Sequence, residues 1–208
     1  VYGIVGIDLL PGPSEVMVIA DSSSNPAFVA AALLAQAEHG SGKEKIYLLF
    51  SAKSQFDEIT HQINVQLEQL NHKDAITEVL KNGFIAVHLP SYQRMADIAN
   101  FVAPEHLELQ VADDQIDFFV KEITTAGAFL LGHLTSTSLG DFVAGPSHVL
   151  PTGRSSRFSS GLRLYDFMRR SSFIQYDHES ASRAKNSVDV FSQMEKLDGH
   201  GRSLSIRL

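Results

Sequence analysis

The sequence has 208 residues, of which 44% are hydrophobic, and its formal net charge is −7. A chain of this size buries the core of one domain, or of one domain with an appendage. Its acidic balance excludes nucleic acid or an anionic membrane as the main partner, because both need clustered Lys and Arg. Cysteine is absent, so a disulfide framework and a thiolate metal site are ruled out, and any transition metal must be held by His, Asp, Glu or amide oxygen.

No apolar run approaches the ~20 residues of a membrane span, and no signal peptide is visible. The expected setting is therefore cytoplasmic. The chain opens at Val1 without a methionine, and Val1–Leu10 already reads as part of an apolar element. The expectation is that a further segment precedes it.

Val16–Ala20 is a β-branched run after a Gly-Pro turn and predicts a buried strand. Asn25-Pro26 supplies an N-cap and a proline at the first helical position. The Ala- and Leu-rich stretch Ala27–His39 then predicts a helix stopped by Gly40. Ile46–Phe50 predicts a second strand, Ser54–Leu70 a helix and Phe84–Leu89 a third strand. Ser91 caps a predicted helix through Val102. A short strand is expected at Leu107–Val111, a helix at Gln115–Ile123 and a buried strand at Ala128–Leu131. From Gly132 to Ser160 the pattern gives way to a Gly-, Ser-, Thr- and Pro-rich loop, of a length that is usually functional or disordered. Gly161–Arg170 and Glu179–Leu197 read as helical, and Ser203–Leu208 as a short terminal element.

Alternating strands and helices predict an α/β fold: a mostly parallel sheet flanked by helices, as an incomplete Rossmann-like domain, with a small C-terminal helical appendage. Residues 1–160 form the α/β domain in this reading, and 161–208 form a helical tail suited to dimerisation. Parallel sheets of this kind place ligands beyond the carboxyl ends of their strands.

Nine histidines are available. Gln36 and His39 stand three apart at the end of the predicted helix and share one face, so an amide oxygen and an imidazole form half a metal site. The alternative is that His39 closes the helix C-terminus against its dipole. Glu105-His106 follows Pro104 and suits acid–base work, because histidine titrates near neutrality. The competing reading is an exposed polar turn. Asp141 and His148 share the glycine-rich stretch Gly140–His148 and can converge on one site. Glu195 and His200 lie near the C-terminus, where a solvated tail is the competing reading. No Gly-x-Gly-x-x-Gly occurs, so no residue points to a dinucleotide from first principles.

Four segments act together: Gly12-Pro13-Ser14-Glu15-Val16, Gln36-Ala37-Glu38-His39, Ala103-Pro104-Glu105-His106-Leu107, and Gly140–His148 continuing through Val149-Leu150-Pro151-Thr152. In this order and spacing the chain resembles the histidinol dehydrogenase family, from about Ile7 to its end. The family oxidises L-histidinol to L-histidine with two NAD molecules through an aldehyde. The resemblance implies zinc ligands at Gln36, His39 and Asp141, with His200 donated by the partner subunit of a homodimer that shares its site. It implies a catalytic pair, with His106 as general base and Glu105 activating water. Ser14, His148 and Glu195 match substrate contacts, Glu195 again from the partner.

Three departures stand out. The family is about twice this length, so its N-terminal, cofactor-bearing half is expected to be absent, and no NAD-binding residue is assigned. Ala32 stands where the family usually has aspartate. Ser147 stands before the loop histidine, where many members have Asn or Thr-Asn. A zinc-binding dimerisation domain without turnover, a dehydrogenase of another small alcohol, and a zinc-water hydrolase with Glu105 as base are the other functions that fit these residues.

Overall fold

The computed structural model describes residues 2–208. By its internal contacts the chain divides into two compact units, Val1–Phe167 and Met168–Leu208.

The first unit is built on five parallel strands: β1 (Glu15–Ala20), β2 (Lys45–Phe50), β3 (Phe84–His88), β4 (His106–Gln110) and β5 (Ala128–Leu131). Their order across the sheet is β3-β2-β1-β4-β5, with every neighbouring pair parallel. Helices α1 (Pro26–Ala37), α2 (Gln55–Leu67), α3 (Lys73–Gly83), α4 (Tyr92–Val102) and α5 (Asp113–Glu122) make the crossovers, and the short α6 (Thr137–Phe142) follows β5. The predicted parallel α/β sheet is therefore present.

Period-two alternation sorts the strand residues between two cores. Val16, Val18 and Ala20 of β1 pack with Ile46 and Leu48 of β2 and with Leu33 of α1, Ile59 of α2 and Ile76 of α3. Met17 and Ile19 face the other way, onto Leu107 and Leu109 of β4, Met95 of α4 and Phe119 of α5. Leu33, Ile59 and Phe119 are fully buried; truncating any of them to alanine costs about 2–5 kcal/mol.

Helix α1 starts as expected. The Asn25 side chain accepts from Ala27 N–H, and Pro26 occupies the first turn. It ends two residues earlier than the sequence pattern predicts. Its C-cap is Glu38, and His39 lies in the following turn, its N–H donating to Gln36 O at 3.4 Å. Gly40 takes φ +64° beyond it, which glycine adopts without strain. Ser91 caps α4 through a bond from Arg94 N–H.

Other expectations change. The segment predicted as one helix over Ser54–Leu70 stops at Leu67, and α3, which the sequence reading leaves unassigned, fills Lys73–Gly83. Gly161–Arg170 forms only a single 3₁₀ turn at Leu164–Phe167, with no buried residue to support a longer helix. The loop read as irregular from Gly132 to Ser160 contains α6 and a 3₁₀ turn at Ser155–Arg157. Tyr2–Leu10 holds one isolated bridge, between Tyr2 and Val5, and is exposed apart from a half-buried Leu9; it is not the apolar element its composition suggests.

The second unit holds α7 (His178–Glu195) and α8 (Asp198–Ser205). Asp177 caps α7 by accepting from Ser180 N–H at 2.7 Å. Lys196, with φ +58°, turns the chain between the two helices. Gly201 lets α8 approach α7 closely, since a Cβ there would lie 3.2 Å from Ser192 Cβ.

Candidate active site at the amino edge of the sheet

Of the residues singled out by sequence, those of the first unit gather at the amino ends of the strands, not beyond the carboxyl ends as the parallel sheet suggests. The reason is in the connections. Glu105 and His106 stand at the entry to β4, and Ser14 and Glu15 at the entry to β1. Parallel crossovers return each helix to this edge, so α1 delivers Gln36 and His39 here. Helix α6 leaves the far end of β5 and carries Asp141 back.

His106 is the centre of the arrangement. Its ring is buried, with Nε2 3.1 Å from Asp141 Oδ1 and Nδ1 3.3 Å from the Glu15 carbonyl. Glu105 Oε2 lies 3.7 Å from the same Nδ1 and accepts from Glu15 N–H at 2.9 Å. Neighbouring strand residues normally point to opposite faces. Glu105 and His106 nonetheless lie together because Glu105 stands before the strand begins, after Ala103 in a left-handed turn at φ 51° and Pro104. Burial pushes the Glu105 carboxyl above the ordinary carboxylate range, against the Glu15 N–H bond and the His106 ring, which act to lower it.

The backbone here is tightly fitted. Gly127 N–H donates to Pro104 O, and Ala128 N–H to Glu105 O at 2.8 Å. A Cβ on Gly127 would meet Glu105 O at 2.6 Å, so only glycine lets β5 lie this close to Glu105. Across the edge, Gly12 N–H donates to Thr152 Oγ1 at 2.6 Å and Gly153 N–H to Glu15 Oε1 at 3.2 Å. The Gly12–Val16 and Val149–Thr152 segments are thus stitched together.

Gln36, His39, Asp141 and His148 line one cleft of about 430 Å³, together with Glu38 and Thr137 among others. Gln36 is 3% exposed, and its Nε2 is buried with no hydrogen-bond partner. A buried amide end left unpaired costs about 1–3 kcal/mol; with the amide turned over, its oxygen takes the place of that Nε2 and can ligate a metal. One amide oxygen, one imidazole and one carboxylate are a donor set suited to zinc, one short of four protein ligands. Among the described residues, no group of three or more His, Cys, Asp and Glu is placed to hold a metal by itself. In the second unit, Glu195 and His200 are exposed and line a common groove with Phe191 and Leu197.

The histidinol dehydrogenase family model matches residues 1–208. The chain belongs to the histidinol dehydrogenase family. It is 42% identical to the histidinol dehydrogenase of Nitrosomonas europaea over 207 residues, covering all of this chain and 47% of that protein. It is 39% identical to that of Listeria monocytogenes, covering 48% of it. The crystal structure of histidinol dehydrogenase from Elizabethkingia anophelis superposes with a TM-score of 0.85 at 33% identity, over 98% of this chain and 46% of that one. The chain thus spans slightly less than half the length of these relatives.

Within this family frame, two residues of the edge escaped sequence reasoning as site residues. Glu15 holds both Glu105 and His106 through its backbone, and its own carboxyl is buried and pushed upward by that burial. Glu108 is 2% exposed and bonds α6. The signal for Glu108 was available: His106, Glu108 and Gln110 alternate with Leu107 and Leu109, so one face of an interior strand is polar. Ala32, where the family usually has an acid, is 7% exposed, packs in the α1 core and also lines a cleft with Glu108, Gln110 and His133.

Proposed function

We propose that these residues carry the metal-binding and proton-transfer part of a zinc-dependent, NAD-linked oxidation of L-histidinol to L-histidine. The observation that carries this reading is the His106–Asp141 contact at 3.1 Å beside buried Glu105, with Asp141 lining the same cleft as Gln36 and His39. Both ring nitrogens of His106 face acceptors, Glu15 O at Nδ1 and Asp141 Oδ1 at Nε2; with Asp141 engaged by the metal, Nε2 would be released to take the substrate hydroxyl proton as general base. Glu105 Oε2 is occupied by Glu15 N–H, so the other oxygen is the one to activate the water that hydrates the aldehyde. A carboxyl raised by burial is a stronger base than an ordinary one, which suits that task.

Gln36, His39 and Asp141 would hold zinc from one subunit, and His200 from its partner in a homodimer. Bound zinc would supply orientation of the substrate's imidazole and amino nitrogens. Ser14, His148 and the partner-derived Glu195 are assigned to substrate contact.

NAD stands in this proposal as the hydride acceptor, and no residue of these 208 is assigned to it. The first βα turn, where a dinucleotide pyrophosphate commonly sits, does not fit one. Asp21 occupies it with a buried carboxylate that accepts from Ala112 N–H and Ser23 N–H. Burial pushes that carboxyl up, but these bonds more than offset it and hold it below the ordinary range. An anion there repels phosphate.

The test is calorimetric titration of L-histidinol into the zinc-loaded chain against a zinc-stripped control. Zinc-dependent heat of binding is the expected result. Equal behaviour of the two samples, with the chain folded, defeats the reading.

A further inference from the structure

We propose that Glu108 is a positioning residue for this site: its buried carboxylate seats α6 on β4, so that Asp141 meets His106. The inference rests on the zinc and general-base reading above. It is carried by a two-rung match between strand and helix. On β4, His106 and Glu108 are two apart and share a face, separated by about 6.6 Å of strand. On α6, Thr137 and Asp141 are four apart and share a face, separated by about 6 Å of helix. Asp141 bonds His106 at 3.1 Å, and Thr137 bonds Glu108 through both its N–H at 2.8 Å and its hydroxyl at 2.9 Å. The two spacings agree, so fixing one rung fixes the other.

Helix α6 has little else to hold it. It is six residues long and buries no side chain. Helices of this length are not stable alone. Its N-cap residue, Ser136, makes no capping bond, and the Ser136 hydroxyl pairs with Ser138 instead. Glu108 therefore supplies, from a different element, the acceptor that the first turn lacks. Its second oxygen is held in place by Gln110 Nε2 at 3.0 Å. A carboxylate 2% exposed and bound only by neutral donors is costly to bury, and a role in aligning the site accounts for it.

The test compares Glu108→Ala, Glu108→Gln and Thr137→Pro with the unaltered chain, by zinc titration and by amide hydrogen exchange. Proline is tolerated at a first helical position, so Thr137→Pro removes both donors to Glu108 without touching the buried carboxylate. The expected result is a 10- to 100-fold loss of zinc affinity in Glu108→Ala and Thr137→Pro. Exchange at Gly140, Val143 and Ala144 should be faster, while β1 keeps its protection. Glu108→Gln should stay within a few-fold of the unaltered chain. The Gln amide oxygen still accepts from Thr137, and Gln110 can turn its unpartnered Oε1 toward the new amide N–H. Unchanged exchange in the folded variants overturns the proposal, as does faster exchange with unchanged zinc affinity. Should the unaltered chain take up no zinc, the metal reading fails by itself, and the His106 ring ¹⁵N shifts decide the positioning role. Glu108→Ala must then reproduce the shifts of Asp141→Asn; shifts like those of the unaltered chain overturn it. If Glu108→Ala does not fold, Thr137→Pro alone gives the answer.

Discussion

His106 Nε2 lies 3.1 Å from Asp141 Oδ1, and the two residues, one on a strand and one on a helix, are 35 positions apart in the chain. An imidazole assigned to proton transfer thus touches a carboxylate assigned to the metal. The two roles should separate under mutation even though the groups touch.

His106→Ala is expected to leave zinc uptake and histidinol binding near their original strength. In a complete enzyme it should lower kcat by about 10²–10⁴, the usual worth of a general base. Parallel metal analysis and turnover measurements check this, and loss of the metal along with turnover would place His106 among the ligands instead.

His39→Ala is expected to abolish stoichiometric zinc. His39 is exposed and follows the end of α1, so its replacement should leave the unfolding free energy of the metal-free chain within about 0.5 kcal/mol of the original. Elemental analysis after dialysis settles the point; a full complement of zinc removes His39 from the ligand set.

Gly127→Ala tests the close fit at Glu105. The new Cβ would lie 2.6 Å from Glu105 O and 3.2 Å from Pro151 Cδ, so β5 must shift away from the entry to β4. Denaturant unfolding should show a loss of about 1–3 kcal/mol. An unchanged midpoint would mean that the edge yields without cost.

Glu15 gives a pH test whose sign is fixed by its surroundings. Burial raises its carboxyl above the ordinary value of 4.5, against the Gly153 N–H bond, which acts to lower it. Between 4.5 and the raised folded value, the folded chain holds a proton that the unfolded chain has released. Stability from this group is therefore lost as pH rises through that window and is pH-independent below it. Glu15→Gln removes the titration, so its thermal midpoint should gain on the original as pH goes from about 4 to about 7. A difference that stays constant or narrows contradicts the assignment.

Removing Glu195–Leu208 takes away both residues assigned to the partner's half of the site. Histidinol affinity should vanish while the first unit keeps its unfolding transition. Retained affinity would show that no partner-donated group is needed.

Much of this was legible from residue pattern. Asn25-Pro26 and Ser91 announce helix starts because capping is a local act, complete within three or four residues. Val16–Ala20 reads as a strand because both of its faces are covered, whereas Ala128–Leu131, expected as a buried strand, lies at the sheet edge with only Leu130 buried and Leu131 exposed. What sequence could not give is the edge at which the site forms. Glu105 and His106 look like members of an ordinary strand entry until Gly127 and Glu15 are brought beside them by pairing that is not local. Helix α6 was lost in a Gly- and Ser-rich loop because its cap, Glu108, lies 29 residues away from Thr137. Helix α1 was read too long because His39 continues its polar pattern while Gly40 bends the backbone just after it.

The bonds that stitch the amino edge have a consequence for the order in which the chain acquires chemistry. Glu15 N–H reaches Glu105 across 90 residues, Gly153 N–H reaches Glu15 across 138, and Gly12 N–H reaches Thr152 across 140. Contacts closing such long loops are slow to form. During synthesis, β1 leaves the ribosome before Thr152 and Gly153 and must wait for them before its entry is fastened. The helices and the two apolar cores can be in place by then. The edge that carries the candidate site is expected to close after the interior of the first unit has formed, because its fastening contacts span the longest loops.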